Sequence, residues 1–164
     1  MNDLPLLLLA ATLLCSLTTG LVFAFTVVVM PGIRTLSDRD FLGAFKAMDR
    51  IIQNNDPRFL LVWVGSVVTL IAATVVYAPA LSGMPQALLF GAVALFFVGV
   101  QLPTFVFNVP LNNQLQALDL HTLDTAGLEA ARAQFEARWI FWNAFRTACG
   151  VIATGILLTV LYAA

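Results

Sequence analysis

Between Arg58 and Asp119 the chain runs for 60 residues without one Asp, Glu, Lys or Arg. A soluble domain, about a quarter of whose residues are charged, does not carry such a stretch. A membrane helix does, and it needs about 20 apolar residues to cross a hydrocarbon core about 30 Å thick. The stretch is therefore too long for one span and suits two. Pro79, Ser82, Gly83 and Pro85 lie near its middle, where proline and glycine end helices and make a turn. Spans are expected at about 59–78 and 86–107.

The same criterion finds two more. Residues 4–30 carry no charge, and residues 139–162 carry only Arg146. The expected fold is all-α, a single integral membrane domain over residues 1–164 built as a four-transmembrane-helix bundle. Met1-Asn2-Asp3 lacks the positive region of a cleaved leader and the apolar run is long, so the first span is expected to be retained. Basic residues cluster in the first connection (Arg34, Arg39, Lys46, Arg50, Arg58) and the third (Arg132, Arg138). The positive-inside rule then puts both connections in the cytoplasm and both termini outside, in a membrane of the bacterial inner-membrane type.

Both connections carry helical patterns. Phe41, Phe45, Met48 and Ile52 recur at helical spacing, with Lys46, Asp49 and Arg50 assigned to the opposite face. Ser37 or Asp38 can cap this helix and Asn54-Asn55-Asp56-Pro57 ends it. It is expected as an interfacial amphipathic helix, with packing on the third connection as the alternative. Leu128, Arg132, Phe135, Trp139, Trp142 and Arg146 form a stripe at three- and four-residue steps. The fourth helix is thus expected to begin near Thr125, outside the membrane, and to run inward unbroken.

Composition excludes several functions. A net charge of −1 with eight basic residues leaves no basic surface for nucleic acid. One His and two Cys build neither the usual zinc or iron site nor a disulfide framework, so no metal and no cofactor is expected. There is no phosphate loop, nucleophile elbow or pair of intramembrane carboxylates, which argues against hydrolases, ATP-driven pumps and proton relays. No repeat relates the halves, which disfavours an inverted-repeat carrier.

An arginine inside the bilayer costs a few kcal/mol and faces a partner or a wet cavity. Arg146 lies two turns inside the fourth span, with Asn143 and Trp142 three and four residues before it. Topology brings Asn108, Asn112 and Asn113, Asn54 to Arg58, and Met30-Pro31 to the same level. Either these line a polar pocket walled by Phe and Trp, or Arg146 snorkels to headgroups and the Asn side chains merely cap helix ends. Thr12, Ser16 and Gly20, and Gly91 and Gly99, mark faces for close helix packing. His121, beside Asp119 and Asp124, reads as a solvated loop residue.

Several segments resemble a known family. Val29-Met30-Pro31, Ala47-Met48 and Asn55-Asp56-Pro57-Arg58-Phe59 resemble the first half of the anthrone oxygenase-like integral membrane proteins. Asn108-Val109-Pro110-Leu111-Asn112-Asn113 and Trp139-Ile140-Phe141-Trp142-Asn143-Ala144-Phe145-Arg146-Thr147 resemble its two most distinctive segments. One departure is Ala144, where many members have His. The resemblance implies oxidation of an anthrone to an anthraquinone by molecular oxygen, without metal or flavin.

On that reading Arg146, Asn143 and Asn108 are the catalytic candidates, with Arg146 as the cation for an enolate oxygen. Trp139, Trp142, Asn112, Asn113, Asn55, Met30 and Pro31 are the substrate-binding candidates. The partners would be membrane lipid and a lipophilic aromatic small molecule, and a homo-oligomer is left open. No carboxylate lies clearly inside to serve as base; Asp56 is nearest by topology, and His121 would need its loop to fold back. The alternative is a non-catalytic membrane module holding a lipid, quinone, pigment or partner protein, and a small carrier is a third reading.

Overall fold

The computed structural model describes residues 4–163; Met1 to Asp3, on which the leader argument rests, lie outside them. Five helices account for nearly all of the described residues, and no strand occurs among them. They are α1 (residues 4–33), α2 (Asp38–Gln53), α3 (Pro57–Tyr77), α4 (Met84–Ala117) and α5 (Thr125–Ala163). Four stretches are long and apolar enough to cross a membrane: Leu6–Ile33, Pro57–Ala80, Met84–Ala117 and Thr125–Ala163. The chain is an all-α bundle of four membrane-spanning helices, an integral membrane protein.

Helix ends follow local chemistry. The Asp56 side chain accepts from the backbone N–H of Arg58 and Phe59 at the start of α3, with Pro57 in the first turn. Ser37 caps α2 by accepting from Asp40 N–H at 3.3 Å. Gly83, at φ +62°, makes the turn into α4. α5 runs unbroken for 39 residues, roughly 58 Å at 1.5 Å per residue.

α4 is longer than the expected 86–107 because it passes through two prolines. Two π-helical turns explain how, Phe97–Gln101 preceding Pro103 and Thr104–Asn108 preceding Pro110, and a third in α1, Phe25–Val29, precedes Pro31. A proline leaves the carbonyl four residues back without a donor and crowds it. Here those carbonyls belong to Val27, Gly99 and Val106, the middle residue of each widened turn. The extra residue makes room for the ring without ending the helix.

α1 packs on both α3 and α5, and α5 packs on α4. α3 meets the Met84–Phe96 part of α4 near the turn, and toward the connections the two helices part. Apolar burial yields little association energy in lipid, so close approach matters more. A side-chain carbon on Gly99 would sit 2.5 Å from Cys149 Cβ, and one on Gly150 would sit 2.7 Å from Thr19 Oγ1. Gly20 and Gly91, expected at packed faces, instead have nothing within 4 Å of that position.

Of the two places for α2, the packed one is found. Phe41, Leu42 and Phe45 are at most 2% exposed and cluster with Met30, Leu111, Leu115, Leu128, Phe135 and Trp139. Basic residues staple this end together. Arg132 bonds Asp38, Glu136 and the carbonyls of Leu36 and Arg34, and its guanidinium lies 4.3 Å from the Phe41 ring centroid. Lys46 donates to Leu118 O, and Arg39 to Leu120 O and Leu123 O.

Candidate functional site

Where α3 and α4 part, a cavity of about 300 Å³ opens at the end of the bundle that carries the connections. Phe25, Phe45, Phe59, Trp63, Phe105 and Trp139 give it aromatic walls, and its polar lining is Asp49, Asn55, Thr104, Asn108, Asn112 and Arg146. Every helix contributes, so the site exists only when the bundle is assembled.

Arg146 is 7% exposed and has no carboxylate within ion-pair distance among the described residues. Its Nε and Nη2 donate to Asn143 Oδ1 at 3.0 and 2.8 Å, and Nη1 donates to Thr104 Oγ1 at 3.0 Å. A guanidinium carries five N–H groups, so two find no protein acceptor among the described residues. The guanidinium carbon lies 5.5 Å from the Trp139 ring centroid, a cation–π contact that holds the charge without neutralising it.

Asn143 lies behind this charge. Its Nδ2 donates to Val22 O at 2.9 Å and Thr26 Oγ1 at 2.7 Å, which fixes its amide with the oxygen toward Arg146. It therefore positions Arg146 and does not line the cavity. Asn108 is 1% exposed; its Nδ2 donates to Trp139 O at 3.3 Å, while Oδ1 has no partner among the described residues. An orphaned buried acceptor on a cavity wall is suited to a ligand hydroxyl. Asn112 accepts from Trp139 Nε1 and donates to Asp49 Oδ1, both at 2.8 Å.

Five expected residues thus meet at the cavity: Arg146, Asn108, Asn112, Trp139 and Asn55. Asn55 reaches it from a left-handed turn, φ +57°, which asparagine tolerates. The others lie elsewhere. Trp142 does not share the cavity with Arg146: it stacks on Phe107 at 3.7 Å and 5°. Asn143 and Trp142 flank Arg146 on opposite sides of α5, one toward α1 and the other toward α4. Asn113 is exposed and accepts from Gln53 Nε2. Met30 is buried in the cluster beneath α2, and Pro31 is exposed. Ala144, the departure from the resembled family, is exposed and away from the cavity, so a His there would not line it.

Asp49 is the main residue that sequence reasoning misplaced. It is 3% exposed and lines the cavity, on the buried face of α2 rather than the solvent face. Phe41, Phe45 and Asp49 step by four along that face, a spacing that would have found it. Thr104 and Trp63 were also missed; Trp63 Nε1 donates to Gln101 Oε1 at 3.1 Å, across the gap between α3 and α4. Among the described residues no group of three or more His, Cys, Asp or Glu could hold a metal ion.

No curated protein and no solved structure matches the chain. One family profile, described as anthrone oxygenase, matches residues 59–156. That stretch covers α3, α4 and most of α5, with Arg146, Asn143, Asn108 and Trp139, while α1 and α2 lie before it. With more than half of its length matched, the chain belongs to the anthrone oxygenase family.

Proposed function

We propose that the cavity is the active site of an oxygenase that oxidises an electron-rich, lipophilic polycyclic substrate of the anthrone or phenol class with dioxygen. The observation that carries this reading is Arg146: a buried guanidinium without a carboxylate partner, two of its N–H groups unspent, at the wall of an aromatic cavity. An anthrone offers such a site a carbonyl oxygen that becomes negative when the ring system loses a proton. Fixed donors at low dielectric stabilise that oxyanion without reorganising. Trp139, Phe25 and Phe45 supply flat apolar contact, and Asn108 Oδ1 can accept from a ring hydroxyl. Substrate and dioxygen both partition into lipid, which suits a membrane location. Arg50, Arg58 and Arg138, exposed at this end, support a cytoplasmic position for it.

The test is oxygen consumption by the detergent-solubilised protein with anthrone, corrected for spontaneous oxidation and compared with Arg146→Met. Uptake above background that falls about 10²–10³-fold in the variant is expected, with a cooperative thermal melt retained. Wild type that is folded yet consumes no oxygen overturns the enzyme and leaves a binding pocket for a lipid, quinone or pigment.

A further inference from the structure

We propose that Asp49 is the base that takes the acidic C–H proton from the substrate, an assignment that rests on the oxygenase reading above. Asp49 sits on the cavity wall at 3% exposure. Both carboxyl oxygens accept only from neutral amides: Oδ1 from Asn112 at 2.8 Å, Oδ2 from Gln116 at 2.9 Å and Gln53 at 3.3 Å. The carboxyl oxygens thus serve as acceptors alone, and no cation pairs with them among the described residues. Lys46 donates to Leu118 O, and Arg50 is exposed. The one buried cation facing the same cavity, Arg146, forms no ion pair with Asp49.

Opposite charges in an apolar cavity lower their energy by pairing. Here each is instead tied back to its own wall by amides and hydroxyls. Asn112 bonds both Trp139 and Asp49, so the carboxyl cannot turn freely. A substrate that loses a proton at one end of a ring system while gaining negative charge at the other complements such a divided pair.

The chemistry closes in atoms and electrons. Asp49 takes a methylene proton, and the C–H pair delocalises onto the ring oxygen beside Arg146. The enolate passes one electron to dioxygen, and the resulting carbon radical and superoxide join through a C–O bond. The Asp49 carboxylic acid returns its proton to the distal peroxide oxygen. The carboxylate then takes the remaining C–H proton, that electron pair forms C=O, and the O–O bond breaks. The departing hydroxide leaves as water with that proton. One CH₂ and one O₂ become one C=O and one H₂O.

Proton removal can be read without oxygen. Under argon in D₂O, wild type should speed the entry of solvent deuterium into the methylene group of anthrone above the spontaneous rate. Asp49→Asn should lower this catalysed exchange about 10²–10⁴-fold while still binding an anthraquinone dye. Gln116→Ala, which loosens the carboxyl but keeps it, should lose less of it than Asp49→Asn does. Asp49→Glu, which also keeps the carboxyl, covers a failure of Asp49→Asn to fold and should stay above background. No catalysed exchange in wild type, full exchange in Asp49→Asn, loss in Asp49→Glu, or equal loss in Gln116→Ala and Asp49→Asn overturns the proposal. Exchange under argon without oxygen uptake in air overturns the oxygenase reading and leaves the base standing.

Discussion

Near the 79–85 turn the helices meet through Leu8, Ala11, Leu70, Ala73, Leu89, Ala92, Leu157 and Val160, none more than 2% exposed. At the other end the same helices surround Asp49, Asn108, Asn112, Thr104 and Arg146 and leave a cavity of about 300 Å³. One half is dry and interlocked; the other is polar, aromatic and incompletely filled. A buried polar group without a partner is costly, so the polar half depends on the hydrogen bonds of Asn143, Asn112 and Thr104. The dry half supplies the rigidity that keeps those partners in register. The molecule thus divides along its length: close packing at one end, a polar and aromatic cavity at the other.

The sharpest stability test of this division is Leu157→Ala against Leu60→Ala. Leu157 is 0% exposed in the dry half, whereas Leu60 is half-buried on the cavity wall. Lipid replaces water as the reference, so the loss at Leu157 comes mainly from the hole left behind, about 2 kcal/mol. Leu60→Ala should cost about 0.5 kcal/mol and should alter KM for bulkier substrates. Thermal melts in detergent and a substrate series check both; equal destabilisation would erase the contrast.

An effect of similar size is expected where the halves join. Gly99→Ala drives a methyl into Cys149 and should destabilise by about 1–3 kcal/mol. Gly91→Ala, in open space on the same helix, should be neutral or slightly stabilising. If both melt alike, close approach at Gly99 is not what holds α4 against α5.

The smallest effect concerns the connection end. The hydrogen bond from Arg58 holds the Asp56 carboxyl down to about 2, from an ordinary 3.8. A lowered carboxyl stabilises fully above the ordinary value, near pH 4, and loses this contribution as pH falls through about 2. The melting temperature should therefore be insensitive to this group from pH 7 to 5 and drop below pH 4. Asp56→Asn should remove that part of the acid dependence, measured as the difference between the two melting curves over pH 2–7.

Much of this was legible in the residues. Charge-free runs locate all four spans, Pro79 to Pro85 locate the turn, and the Thr125 start of α5 follows from its stripe. The cost of a membrane arginine leads directly to Arg146, and topology adds Asn108 and Asn112. Asp49 escaped because charge was taken as a sign of the solvent face, although its spacing from Phe41 and Phe45 says otherwise. Trp142 was misplaced because four residues along a helix overshoot a full turn by about 40°; Trp139, seven residues before Arg146, is nearly in line with it. Phase along α4 was not readable at all, since nothing in an α-helical period anticipates two widened turns.

Those turns have a further consequence. Each takes up one residue more than an α-helical turn, so residues beyond it lie about 100° behind the position an uninterrupted α-helical count gives them. α4 carries two in succession, Phe97–Gln101 and Thr104–Asn108. The azimuth at which Leu89, Ala92 and Phe96 meet the dry core is therefore decoupled from the azimuth at which Asn108 and Asn112 meet the cavity. The helix works as two rods coupled by a gear rather than as one rod. Because each widened turn absorbs its extra residue locally, straightening either one at constant chain length would rotate the amides at the far end by about 100° and leave the near end where it is.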